Sequence, residues 1–143
     1  MTTLTTTVSN TISGVARQLF RSFGNREYRR AFAAEVGVEL ATQIRMLREQ
    51  RFGRQQDLAD RLGKRQETIS QWENPDYGRY SLSTLRSLAD AFDVPLIVRF
   101  GTWSELADWN AHISPASLAP LPYEEEARRV ASAEAQVSFP PQQ

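Results

Sequence analysis

The stretch QQDLADRLGKRQETISQWEN, residues 55–74, decides the fold. It reads as two short helices joined by a tight turn at Gly63. Leu58, Ala59 and Leu62 fall at helical spacing on one face of the first, Gln55 to Leu62. In the second, near Gln66 to Glu73, Ile69 and Trp72 turn inward and leave Gln66, Glu67, Ser70 and Gln71 outward. Ala59 is small enough for the two helices to approach closely. Gly63 can take a positive φ that a side chain would resist. The second helix is short and polar, and it stands clear of the rest.

Two helices in that relation, the second presenting polar side chains, are what a helix-turn-helix needs to enter a DNA major groove. Glutamine at Gln66 or Gln71 can give one hydrogen bond to adenine N7 and take one from N6. Glu67 can accept from cytosine N4, although a carboxylate close to phosphates is otherwise unfavourable, and Ser70 can donate or accept. Gln55 opens the first helix, where its amide and the free backbone N–H groups can meet a phosphate. Arg54, Gln56, Lys64, Arg65, Thr68, Arg79 and Tyr80 lie in or beside the motif as further backbone contacts. Glu73 reads as a residue tying helix ends together, and Trp72 as core.

Charge is distributed unevenly. The formal net charge is zero, but residues 1–54 hold nine Arg against four Asp or Glu, and residues 101–143 hold two Arg against six acidic residues. The front is basic and the tail acidic. Sixteen of the 17 basic residues are arginine, with Lys64 the single lysine. Arginine suits bidentate phosphate contact, and it is equally what a GC-rich genome would encode.

Several function classes lose support. No run of about 18 apolar residues exists, so no transmembrane helix is expected. The start, MTTLTTTVSN, lacks the layout of a signal peptide, and a cytoplasmic, nucleoid-accessible location is the expectation. With no cysteine there is neither a disulfide nor a thiolate metal site. His112 is the lone histidine, Glu124, Glu125 and Glu126 are consecutive rather than convergent, and no glycine-rich phosphate loop follows a strand. Neither an enzyme nor a cofactor or metal is expected.

Around the motif, residues 1–8 are threonine-rich and expected to fray. Ile12, Val15, Leu19 and Phe23 predict a helix starting at Ser9. A longer helical stretch runs from about Arg26 to Arg51, with Phe32, Val36, Leu40, Ile44 and Leu47 at helical spacing. Gly37 is its weak point and could divide it. After the loop Asn74 to Gly78, Ser81 or Ser83 can cap a helix carrying Leu82, Leu85, Leu88, Ala89 and Phe92, ended by Asp93 and Pro95. Thr102 to Glu105 has capping-box spacing and opens a short helix through Trp109. Beyond Ser114, five prolines and an acidic run predict a mobile tail with a helical piece near Tyr123 to Ala135.

Between them lies Leu96-Ile97-Val98-Arg99-Phe100, the only predicted strand. A lone strand leaves its backbone unpaired, and the same strand of a second copy, antiparallel about a two-fold axis, would satisfy it. The alternative is that this run extends the preceding helix or packs as coil. Pro95 argues against the helix.

Taken together, residues 40–92 resemble the lambdoid-phage-repressor and Cro-like helix-turn-helix family, also called the xenobiotic-response-element family. The residues that carry the resemblance are Gln55, Leu58, Ala59, Leu62, Gly63, Ile69, Ser70, Trp72 and Glu73, with Leu85, Leu88 and Ala89 in the following helix. Lys64 and Arg65 depart from it, standing where an apolar residue or threonine and a capping serine or threonine are usual. The resemblance implies a bundle of four or five helices that binds double-stranded DNA operators as a homodimer. Gln55 would then meet the backbone, and Gln66, Glu67 and Gln71 would face bases. The strand and the helix after it look like a variant seen in antitoxin-like regulators.

The expected chain is therefore mainly α, with a single short C-terminal strand. It has an N-terminal helical extension over 1–36, the helix-turn-helix domain over 37–94, a dimerising strand and helix over 95–113, and a proline-rich acidic tail over 114–143. The expected function is a sequence-specific regulator, most simply a repressor. The alternative is a DNA-binding antitoxin that autoregulates its operon and holds a partner toxin.

Overall fold

The computed structural model describes residues 13–137, so the expected helix onset at Ser9 and Ile12 lies outside the described residues. Among the described residues all regular structure is α-helical. The chain forms two compact units. One combines residues 13–33 with 99–113, and the other combines 34–98 with 114–137.

The first unit is built from α1 (Gly14–Ser22), α2 (Arg26–Ala33) and, from much later in the chain, α7 (Trp103–Ala111). Ser13 caps α1, its Oγ accepting from the N–H of Ala16 at 3.3 Å. Helices α1 and α7 meet through alanines: Ala16 and Ala107 are both fully buried. This displaces Val15, expected to face inward, to a position 68% exposed. The inward face of α1 is Ala16, Leu19 and Phe23. The Phe23 ring lies 5.1 Å from Phe32 and 5.4 Å from Trp103, centroid to centroid, in edge and tilted arrangements that suit aromatic quadrupoles. The capping box that opens α7 is present. Glu105 donates its N–H to Thr102 Oγ1 and accepts from the N–H of Thr102, both at 3.1 Å. That backbone donor, with the Arg99 guanidinium 2.9 Å away, holds the Glu105 carboxyl below its ordinary pKa.

The second unit contains α3 (Val36–Arg51), α4 (Gln55–Leu62), α5 (Gln66–Trp72), α6 (Leu82–Phe92), α8 (Pro115–Leu118) and α9 (Tyr123–Val137). The expected long helix over 26–51 does divide, but between Ala33 and Val36 rather than at Gly37. Gly37 sits inside α3 for a different reason. A Cβ there would stand 3.2 Å from the Cα of Gly78, so glycine permits a close backbone approach. The core gathers Ile44 and Leu47 from α3, Leu58 and Ala59 from α4, Ile69 and Trp72 from α5, and Leu88 and Phe92 from α6. Ser81 is the cap of α6, its Oγ 3.0 Å from the N–H of Thr84. Leu82, placed in that helix's apolar stripe by its spacing, is 55% exposed because it occupies the first turn.

Two expectations need correction. Leu96 to Phe100 is not a strand: the segment is irregular, with Ile97 78%, Val98 63% and Phe100 104% exposed. A ladder needs a partner strand; no strand occurs among the described residues, and Pro95 has no N–H to offer. The segment between Ser114 and Tyr123, expected to belong to a mobile tail, instead packs on the second unit, and the helical piece expected near Tyr123 to Ala135 is α9. Ala119 joins the core of the second unit at 5% exposure. Gln43 Nε2 donates to the carbonyl of Leu118 at 3.2 Å, and the Arg51 guanidinium donates to the carbonyl of Pro120. Asp93, which ends α6 in the left-handed region at φ 55°, accepts from the N–H of Tyr123 at 3.0 Å. These bonds satisfy the backbone of a proline-rich segment that cannot satisfy itself. No helix among the described residues is long and apolar enough to cross a membrane.

Candidate nucleic-acid interface

The turn between α4 and α5 forms as the sequence requires. Gly63 takes φ +63°, ψ 36°, and the N–H of Lys64 reaches back to the carbonyl of Ala59 at 2.9 Å. Leu58, Ala59 and Ile69 are fully buried between the helices and Trp72 is 6% exposed, so both helices are fixed by the apolar side that faces the core. Arg65 precedes α5 with an extended backbone, but its side chain accepts no capping hydrogen bond. An arginine carries no acceptor, so α5 starts without the help a serine or threonine would give.

The start of α5 is held instead by a relay of side chains. Gln66 Nε2 donates to Gln55 Oε1 at 2.5 Å. Gln55 Nε2 in turn donates to Glu73 Oε2 at 3.0 Å. Glu73 takes two further bonds from Arg48, Nε to Oε2 at 3.2 Å and Nη2 to Oε1 at 2.6 Å. Arg48 spends Nη1 on the carbonyl of Gly53 at 2.5 Å. The Arg48 and Glu73 side chains are only 10% and 5% exposed. A pair that dry persists only if geometry and extra hydrogen bonds offset its desolvation. Here the planar guanidinium meets the carboxylate through two nitrogens, and the glutamine supplies a third donor.

Glu73 is thus the structural residue its position suggests, and Arg48 is the partner that sequence reasoning did not single out. The signal was there. Arg48 falls on the core stripe Ala41, Ile44, Leu47 of α3, a basic residue where the period calls for an apolar one.

The other expected contact residues divide by what their side chains already do. Glu67, Ser70 and Gln71 are exposed on α5, Gln66 is half-buried by its tie to Gln55, and Thr68 is half-buried. Lys64, Arg65 and Arg79 are exposed. Arg54 is exposed but paired, its Nη2 2.9 Å from Asp57 Oδ1. Asp57 also accepts from the N–H of Arg54 at 3.2 Å, and the guanidinium hydrogen bond above all holds its carboxyl below the ordinary range. Gln56 donates to Asp60 at 2.7 Å. Tyr80 points its hydroxyl into the unit, donating to the carbonyl of Trp72 at 2.5 Å, and burial raises its pKa. Its proton serves the junction after α5, an office the sequence did not reveal.

The arrangement brings Gln55, Gln66, Glu67, Ser70 and Gln71 onto the helices of one motif, with Lys64 and Arg65 in its turn. A helix-turn-helix family model matches residues 44–98, from the second half of α3 through Val98. No curated protein and no solved structure gives a significant match.

Proposed function

We propose that the chain is a DNA-binding transcriptional regulator of the xenobiotic-response-element, Cro and C1-repressor type, a sequence-specific repressor acting as a homodimer on an inverted-repeat operator; the helix-turn-helix match over residues 44–98 supports the DNA-binding part of this reading. The observation that carries this reading is the hydrogen bond from Gln66 to Gln55. It fixes the amide of the first residue of α5 while leaving its Oε1 and one N–H for a base edge. Those are the donor and acceptor that adenine asks for in the major groove.

Gln71 and Ser70 are the further base readers, with Glu67 where a cytosine presents N4. Lys64, Arg65, Arg79, Gln55, Gln56, Arg54 and Thr68 act toward the backbone. The dimer is supported by the exposure of Ile97, Val98 and Phe100 at the end of the matched region and just beyond it. Covering those three side chains is favourable for any copy that can do so. Two-fold symmetry then sets half-sites about 34 Å apart, or a multiple of that.

Footprinting across the promoter upstream of its own gene tests the whole reading. A protected inverted repeat is expected. Protection that spreads evenly over all duplex DNA would overturn sequence specificity, and a single unrepeated site would overturn the dimer.

A further inference from the structure

The helix-turn-helix segment is poorly charged for its task. Residues 44–98 hold nine basic residues and eight acidic ones. Three of the nine are engaged with carboxylates: Arg45 with Glu49, Arg48 with Glu73 and Arg54 with Asp57. Affinity for duplex DNA comes largely from neutralised phosphates and released counterions. Within the motif and its flanks the exposed cations without a carboxylate partner, Lys64, Arg65 and Arg79 among them, supply only part of it.

The helices α1 and α2 have the opposite character. Residues 13–33 carry five arginines and one acidic residue, Glu27. Arg17 and Arg21 are four apart on α1, and Arg26 and Arg30 are four apart on α2; all four are exposed, and among the described residues no ion pair engages any of them. The core-facing side chains of both helices are covered, while Val15, Phe20 and Tyr28 stay exposed beside the arginines. Ala16, Leu19, Phe23 and Phe32 pack with α7, so the arginines are not stems laid over a bare core. Like charges at this spacing destabilise a helix by a few tenths of a kcal/mol per pair. Two such pairs on successive helices are a repulsion that a polyanion would relieve.

We propose that the exposed face of α1 and α2, formed by Arg17, Arg21, Arg26 and Arg30, is a second DNA-binding surface that contacts phosphates without reading sequence. It rests on the chain's being a DNA-binding regulator. The helix-turn-helix selects the site, and this face supplies much of the salt-dependent affinity. Guanidinium suits the role, since its fork can meet two phosphate oxygens at once.

The test is the salt dependence of binding by the full chain, on a duplex extending well beyond the protected site. The slope of log affinity against log salt should fall by up to about 3.5 in the fourfold variant R17Q/R21Q/R26Q/R30Q, at about 0.9 for each phosphate that is no longer neutralised. The ranking of operator over scrambled duplex should stay as it was. The fourfold lysine variant, which keeps the charge, should return most of the slope, separating phosphate binding from damage to the fold. A glutamine variant that folds and keeps the parental slope overturns the proposal and leaves the helix-turn-helix reading standing. So does a lysine variant that fails to restore it. Absence of duplex binding by the unaltered chain at any salt would sink both.

Discussion

Gln66 and Gln55, the first residues of α5 and α4, are joined through their side-chain amides at 2.5 Å. The second helix of the motif, α5, is therefore oriented from the helix before it, and through Glu73 from Arg48 in α3. Gln66→Ala should lower operator affinity by about 1–3 kcal/mol, the worth of a bidentate base pairing. Gln55→Ala should lower it too, although Gln55 is not a base reader. The two effects should be less than additive in a double-mutant cycle, because each change removes the same hydrogen bond. Titration of labelled operator with the four proteins measures this, and full additivity would show that Gln55 does not orient Gln66.

The Arg48–Glu73 pair should be costly to break from one side. Glu73→Ala leaves a guanidinium 10% exposed without its carboxylate, and a destabilisation of about 3–5 kcal/mol is expected. Replacing both by apolar residues, Arg48→Met with Glu73→Leu, should recover most of that stability in urea denaturation. It should not recover operator binding, since Gln55 would lose its anchor.

Acid should weaken the fold through carboxylates that are held ionised. Asp57 and Glu105 have folded pKa values depressed by Arg54 and by the Thr102 N–H respectively. The stability each contributes is fully present above the ordinary carboxylate pKa of about 4 and is lost as pH falls through the lower folded value. Urea midpoints should therefore drop below about pH 4, and Asp57→Asn and Glu105→Gln should each shallow that drop. The variants should differ from the parent mainly at neutral pH and converge with it in acid.

Asp93 combines a left-handed backbone with a side-chain bond to Tyr123. Asp93→Ala suffers on both counts, by about 1–2 kcal/mol from the backbone alone. Asp93→Gly relieves the backbone but not the bond, and Asp93→Asn can keep both. Thermal melts should rank asparagine above glycine and glycine above alanine.

The proposed homodimer predicts that Val98→Asp brings the mass read by light scattering down to that of one chain while leaving the helical signal intact. A variant still dimeric would place the two-fold interface away from Leu96 to Phe100.

The motif was legible because its signals are local. Gly63 announces the turn, and the spacing of Leu58, Ala59, Leu62, Ile69 and Trp72 fixes which sides of α4 and α5 are buried. The capping box at Thr102 and the serine at Ser81 were equally readable. What failed involved distance along the chain. The burial of Ala119 and the bonds from Gln43 and Arg51 to residues more than 65 positions later leave no periodic mark. Val15 lost its expected inward place to Ala16 because a helix distant in sequence, α7, brought an alanine to meet it. The run Leu96 to Phe100 has strand composition, but composition does not provide a partner.

The way the first unit is assembled bears on the order in which the chain can fold. Its halves, 13–33 and 99–113, are separated in the chain by the whole helix-turn-helix segment. On a ribosome, α1 and α2 emerge early and wait for α7, while α3 to α6 have their neighbours close behind them. The helices of the motif can therefore fold before the arginine-bearing helices find their lasting partner. A chain cut short before Trp103 would carry the helix-turn-helix and leave Ala16 and Phe23, two of the most deeply buried side chains of the first unit, without their cover.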